Sequence, residues 1–161
     1  MWKRTPSPTI LLASGLLALV AAGACGQKEI TEEDRAAIIS TLENYLPLLA
    51  ESYATGDLEP LKDLASEREV ARVFTRVSEL ADEGKYVQPT FHRMTVEEIA
   101  PLGRSNVYVT TLEVWDLRVR ARGSDAQLGE DLDQRSRVSY QLTRRGGRWQ
   151  VLFRELDQAI Q

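Results

Sequence analysis

The chain has 161 residues, with 20 basic and 24 acidic side chains, one histidine and one cysteine. A single cysteine cannot form a disulfide within the chain, so the fold must depend on a hydrophobic core, and the length suffices for one such core. The acidic balance argues against nucleic-acid binding, which requires a net basic face.

The first 24 residues follow the order of a secretory signal peptide. Lys3 and Arg4 are cationic, the segment 10–20 is apolar and uncharged, and small residues occupy 21–24. The apolar segment is shorter than the roughly 20 residues that a membrane-spanning helix needs. Loss of the peptide removes two of the 20 basic side chains and no acid, which leaves 18 against 24 and a formal charge of −6.

The signal peptide ends at the only cysteine of the chain. The stretch Ala22-Gly23-Ala24-Cys25 resembles the lipobox of bacterial lipoproteins. In that family the peptide is cut before the cysteine, here between Ala24 and Cys25, and the thiol receives a diacylglyceryl group. The resemblance implies an exported protein that acyl chains on Cys25 hold to the membrane, each buried methylene contributing about 0.8 kcal/mol.

Two other interpretations of this segment remain open. Cys25 could follow an ordinary signal peptide by coincidence, or it could be a buried free thiol of the folded domain. In the lipoprotein interpretation, Gly26 stands where enteric bacteria use aspartate to retain lipoproteins in the inner membrane. That family behaviour implies the periplasmic face of the outer membrane in a host with two membranes.

Residues 25–30 are expected to be the lipidated cysteine and a short tether, and 31–161 a single domain that begins with about three helices. Thr31 has the position of an N-cap, because three acidic residues follow it in the first turn. Apolar residues then recur at helical spacing, Pro47 is expected to kink this helix, and Gly56 is expected to end it.

A short second helix is predicted at 58–64, and a third is predicted to begin at Ser66. Ser66 and Glu69 have the spacing of a capping box, in which each side chain binds the backbone amide of the other residue. Gly84 is the expected end of this helix. Its apolar face is predicted to consist of Val70, Phe74, Val77 and Leu80–Ala81.

The remaining sequence has the two-residue period of β-strands. Strands are predicted at 90–99 and 106–121, a loop at 122–133, and a hairpin that turns at Gly146-Gly147. The two hairpin strands are predicted to bury Val138, Tyr140 and Leu142, and Trp149, Val151 and Phe153. The apolar alternation of the second strand changes phase near Val114–Trp115, which predicts a bulge or bend there.

Helices followed by four antiparallel strands predict an α+β fold, with the helices covering one face of a curved sheet. The element order, the segment Tyr53–Leu58 and the final Gly147-Arg148-Trp149 resemble NTF2-like, or cystatin-like, cone domains. Gly84-Lys85-Tyr86 before the sheet and the terminal hairpin resemble, within that group, the intermembrane-space domain of plastid-division J-like proteins. Those domains contact partner proteins, whereas other NTF2-like members are isomerases and dehydratases.

Two polar residues are candidates for catalysis. His92 could be a general base, although no cysteine or second histidine is present to build a metal site with it. Asp116 could be a base with a raised pKa if it faced a cavity. The alternation instead favours a solvated face that Asp116 shares with Arg118 and Arg120. The interpretation preferred here is that neither residue is catalytic, and that the chain needs no metal or cofactor.

The expected function is therefore a non-catalytic binding or adaptor module at the cell envelope, with an envelope protein as its partner. The alternatives are a lipoprotein that binds a small apolar ligand and, third, an NTF2-like enzyme. Aromatic side chains could line the cone of the ligand-binding alternative, although most of them are expected to be core. These candidates are Tyr45, Tyr53, Trp115, Tyr140 and Trp149.

Overall fold

The computed structural model describes residues 29–160, in which two α-helices precede a four-stranded antiparallel sheet. The signal peptide, Cys25 and the first part of the tether lie outside the described residues. The elements are α1 (Glu32–Thr55), a 3₁₀ helix (Glu59–Asp63), α2 (Glu67–Asp82), β1 (Lys85–Leu102), β2 (Asn106–Ala121), β3 (Gln127–Arg145) and β4 (Arg148–Ile160). Neither helix between residues 29 and 160 combines the length and apolar character required to cross a membrane.

The predicted ends of α1 are confirmed. The Thr31 hydroxyl accepts a hydrogen bond from the Asp34 backbone N–H at 3.0 Å, and Gly56 follows the helix with φ +81°, a conformation that favours glycine. Pro47 lies inside α1, which continues past it to Thr55. The expectation of about three helices is wrong, because 59–63 forms only a short 3₁₀ helix.

Helix α2 is rotated relative to the predicted apolar face. Its buried residues are Glu69, Val73, Val77 and Leu80, whereas Phe74 is 59% exposed. The predicted capping box forms only in part. Ser66 accepts from the Glu69 backbone N–H at 3.2 Å, but the Glu69 carboxylate faces the domain interior. The rotation thus buries a carboxylate in place of a phenylalanine.

The strands pair in the order β1-β2-β3-β4, so β1 and β4 are the edges of the sheet. β1 begins at Lys85, five residues before the predicted start, and Pro89 lies inside it, which an edge strand tolerates. The predicted loop at 122–133 is wrong in its second half, because β3 begins at Gln127. The bounds of β2 and the Gly146-Gly147 turn agree with the predictions.

The predicted change of phase in β2 does not occur. Val107, Val109, Thr111, Glu113 and Trp115 all lie buried on the face toward the helices, and Val114, on the other face, is buried as well. A bulge does lie opposite Val114 and Trp115, where β1 carries His92 as an extra residue between Phe91 and Arg93. Two polar residues therefore occupy inward positions, which shifted the apparent apolar pattern of the sequence.

A bulge in β4 changes the inward face of that strand. Val151 pairs with Leu142, but Phe153 pairs with Gln141 and Arg154 with Tyr140, so Leu152 is the extra residue. The prediction that Phe153 continues the buried face is thus wrong, and Arg154 takes that place. Phe153 instead contacts Arg72 of α2, whose guanidinium carbon lies 4.6 Å from the ring centroid.

Candidate functional site

The centre of the cone is a buried carboxylate, that of Glu113 on β2, which is fully inaccessible to solvent. One oxygen, Oε1, accepts hydrogen bonds from the hydroxyls of Thr111, at 3.1 Å, and Tyr140. The other, Oε2, accepts from the indole N–H of Trp115 at 2.8 Å and from Nη2 of Arg154 at 2.9 Å. Four donors thus compensate the desolvation of one negative charge.

Arg154 supplies the positive charge of this network from β4. Its Nε donates to the Tyr140 hydroxyl at 3.1 Å, while Nη2 is bound to Glu113. The Arg154 side chain is 21% exposed, so the ion pair lies at the boundary between the core and a cavity. The bulge at Leu152 is what turns this side chain inward.

A second buried carboxylate, Glu69, joins α2 to the same network. Its oxygens accept hydrogen bonds from the Tyr45 hydroxyl at 3.0 Å and the Arg154 backbone N–H at 3.3 Å. Nε of Arg72 lies 3.2 Å from Oε2. Glu69 therefore connects α1, α2 and β4. These contacts require α2 to turn Glu69 into the interior, where it is 1% exposed, and this explains the rotation of the helix.

The two tyrosines at the centre are held in their neutral form. Burial, together with the nearby carboxylates, raises the pKa of Tyr45 and of Tyr140 well above the ordinary value of 10.0. Both hydroxyls therefore keep their protons, which they donate to Glu69 and Glu113. The rings contact edge to face, with centroids 6.4 Å apart, and fill the inner end of the cone.

Above this network lies a cavity of about 390 Å³ that opens to solvent, called the mouth cavity here. Both helices and all four strands contribute to its wall. Its aromatic and small wall residues include Ala50, Tyr53 and Trp115, and its polar ones include Ser136 and Arg154. The arrangement provides an apolar space that ends on polar groups.

The five aromatic residues predicted to line the cone lie in three different places in the fold. Tyr45 and Tyr140 are fully buried in the core, and Tyr53 and Trp115 line the mouth cavity. Trp149 is also buried, but beside Arg144, whose guanidinium carbon lies 5.9 Å from its ring. The structure thus brings two of the five to one open cavity.

His92 and Asp116 are brought together, but on the outer face of the sheet. His92 Nε2 lies 3.1 Å from Asp116 Oδ1, and Arg118 Nη2 lies 3.6 Å from Oδ2. The Asp133 backbone N–H also donates to Asp116 at 2.9 Å. This N–H bond and the His92 imidazole lower the pKa of Asp116 below its ordinary value of 3.8, opposite to the shift that a base in a cavity would show.

The residues of this network that sequence reasoning did not place in the interior are Glu69, which was assigned to a capping box, Glu113 and Arg154. One signal was present for Glu113, because odd-numbered positions from Val107 to Leu117 are apolar except at 111 and 113. Reading that alternation without interruption would have placed the carboxylate inside. Within residues 29–160, no group of three or more histidine, cysteine, aspartate or glutamate side chains is arranged to hold a metal ion.

The chain matches no family model and no curated protein. Among solved structures it is similar to the intermembrane space region of the chloroplast protein ARC6, with a TM-score of 0.62 and 10% identity over 75% of this chain and 94% of that one. A periplasmic fragment of TraM gives a TM-score of 0.54 and 10% identity over 76% and 96% of the two chains.

A ketosteroid isomerase-like protein from Erwinia carotovora atroseptica gives a TM-score of 0.52, with 9% identity over 77% of this chain and 95% of that one. At such low identities these similarities establish the fold alone. The chain has the NTF2-like, cystatin-like fold, as the resemblance to the plastid intermembrane-space domain predicted.

Replacing Glu113 with glutamine should destabilise the domain by about 3–5 kcal/mol, because the substitution leaves the Arg154 charge unpaired at the edge of the core. Urea unfolding followed by circular dichroism measures the change. Arg154→Met should also lower the free energy of unfolding. The double variant should lose less unfolding free energy than the sum of the two single losses. Additive losses would show that the two side chains do not depend on each other.

The matched control for this cycle is the solvent-exposed pair Glu97–Arg137, whose Oε2–Nε distance is 2.8 Å. Glu97→Gln should change the free energy of unfolding far less than Glu113→Gln, since solvent screens an exposed pair. Equal effects at the two sites would contradict the central role of the buried pair.

The Asp116 contacts should make stability depend on pH in a defined direction. Because the pKa of Asp116 is lower in the folded state, its carboxylate stabilises the fold above the unfolded-state pKa, and this contribution is lost as the pH falls through the folded-state pKa. The difference in unfolding free energy between wild type and Asp116→Asn should therefore be largest above the unfolded-state pKa and shrink as the pH falls below it. A difference that stayed constant or grew would contradict the assignment.

Proposed function

We propose that the chain is a non-catalytic lipoprotein of the cell envelope that binds a small apolar molecule in the mouth cavity. The observation that carries the proposal is the cavity itself, with its volume of about 390 Å³ and its opening to solvent. Small-molecule sites typically measure about 300–1,000 Å³ and have mainly apolar and aromatic walls with a few polar groups. Tyr53, Trp115 and Leu117 provide such walls.

Two features support binding without catalysis. The Glu113 carboxylate is occupied by four donors, so it has no free position from which to accept a proton from a bound molecule. The pair formed by His92 and Asp116 lies on the opposite face of the sheet from the cavity. The proposal therefore assigns the cone interior to structure and its mouth to binding.

The proposed anchor is Cys25, cleaved from Ala24 and acylated, which would hold the domain at the membrane through the short tether. The lipobox resemblance supports this part of the proposal. The net negative charge supports it as well, because an acidic domain gains little electrostatic attraction from an anionic lipid surface and needs acyl chains to stay there.

An adaptor that binds an envelope protein is the second candidate function. It is favoured by Phe74, which is 59% exposed on α2 and lines a surface groove between that helix and the 3₁₀ helix. Large exposed apolar side chains are common in protein interfaces. In this candidate the groove beside Phe74, and not the mouth cavity, would be the functional surface.

Substituting Cys25 with serine should abolish acylation. In its own host, the wild type should fractionate with membranes and have the mass of residues 25–161 plus acyl chains. The Cys25→Ser variant should take up no labelled palmitate, because only the thiol provides the nucleophile. An unmodified Cys25 in the mature wild-type protein would contradict the anchor.

Filling the cavity should abolish ligand binding. Native mass spectrometry of the lipoprotein purified from host membranes should show a small non-covalent adduct, and Ala50→Trp should remove the adduct by occupying the cavity. Ala36→Trp, at an exposed position of the same helix, is the matched control and should retain it. An adduct of equal abundance in the Ala50→Trp variant, or none in the wild type, would contradict the ligand-binding function.

The same purification distinguishes the adaptor. A protein that accompanies the wild type and Ala50→Trp, but not Phe74→Ser, would favour the partner-binding function. A partner unaffected by Phe74→Ser would remove the observation on which that candidate rests.

A further inference from the structure

The polar end of the mouth cavity contains three groups with unused hydrogen-bond donors. Nε and Nη2 of Arg154 are engaged by Tyr140 and Glu113, but Nη1 has no hydrogen-bond partner among residues 29–160. The Ser136 hydroxyl and the Gln134 amide, both in the cavity wall, likewise make no side-chain hydrogen bond to any described residue.

Ser136 is the most informative of these groups, because the residue is only 4% exposed. The fully buried side-chain atoms without a partner among residues 29–160 are Ser52 Oγ and Trp149 Nε1, so the Ser136 hydroxyl is accessible from the cavity. A molecule bound there would replace water as the hydrogen-bond partner of this hydroxyl. The inward alternation of β3 explains its position, because Gln134, Ser136 and Val138 follow one another on the same face.

The charged side chains in the wall of the mouth cavity are all cationic. They are Arg76 and Arg154, and none of the described residues that line the cavity is acidic. Arg76 is exposed and lies 3.1 Å from Glu79. A neighbouring cavity of about 360 Å³ has both signs of charge in its wall, because Glu69 and Glu79 line it together with Arg72, Arg76 and Arg154. An anionic group would therefore meet no carboxylate in the wall of the mouth cavity, whereas two carboxylates line its neighbour.

From these observations we propose that the ligand is a small amphipathic carboxylate. Its carboxylate would accept hydrogen bonds from Arg154 Nη1, Ser136 and Gln134, and its apolar body would lie along Tyr53, Trp115 and Leu117. One half-buried arginine with a single free nitrogen suits a monoanion better than a phosphate dianion, which needs more positive charge. This inference rests on the proposed function and specifies the class of ligand.

The test is photo-crosslinking of the lipidated full chain in phosphatidylcholine nanodiscs. The probe is decanoic acid with a diazirine in its chain, and the matched neutral probe is the corresponding decanol. Mass spectrometry identifies the labelled residues. The probe concentration that gives half-maximal labelling compares the apparent affinities of the acid and the alcohol. The acid should label the mouth cavity at a concentration at least about tenfold lower than the alcohol, because hydrogen bonds to a charged acceptor are the strong ones.

The outcomes separate the two proposals. If the alcohol labels the cavity as well as the acid does, the carboxylate inference is overturned while binding of an apolar molecule stands. If neither probe labels cavity residues, both proposals are overturned. Labelling by the acid alone, displaced by unlabelled decanoate, supports both.

The Ser136→Ala variant tests the polar end directly. It should raise the half-maximal concentration of the acid by about threefold or more and leave that of the alcohol unchanged. Ser139→Ala is the matched control. Ser139 lies on the same strand with the same 4% exposure, but its hydroxyl is already engaged by Tyr108 and Asp157. Equal acid labelling of wild type and Ser136→Ala would overturn the assigned position of the carboxylate.

Discussion

The buried ion pair between Glu113 and Arg154 is the constraint on which the rest of this domain depends. A carboxylate in an apolar interior must have its lone pairs engaged, and Glu113 obtains its donors from β2, β3 and β4. The pair therefore fixes the relative register of three strands. Through the Arg154 backbone it also positions Glu69, which sets the rotation of α2.

This constraint gives the cone two chemically different ends. At the inner end, the rings of Tyr45 and Tyr140 leave no room for a ligand, and their hydroxyls are engaged by carboxylates. At the outer end, the same arginine presents its remaining nitrogen to an open cavity. Arg154 thus contacts both the buried carboxylate and the open cavity, and this position determines where the proposed ligand would place its polar end.

The sequence predicted the parts of the fold that depend on local physics. The Thr31 cap, the end of α1 at Gly56 and the Gly146-Gly147 turn each follow from backbone and side-chain chemistry within a few residues. The α+β class and the NTF2-like resemblance are also confirmed. The short helix predicted at 58–64 is a 3₁₀ helix of five residues, a length at which the sequence shows little more than one turn of any helical period.

The sequence predicted two aromatic residues of the candidate site, Tyr53 and Trp115, but not its charged members, because each of these contradicts the rule that apolar residues mark the inward face. Glu69 and Glu113 look like solvent-facing residues until their partners, which are distant in sequence, are known. Arg154 is 41 residues from Glu113, and only the strand pairing brings them together. The bulge at Leu152 has a wider consequence: the backbone register of β4 decides which of its side chains faces Glu113. Without that one extra residue, the pairing that follows Val151 and Leu142 would place Phe153 opposite Tyr140, and Glu113 would lose its arginine partner.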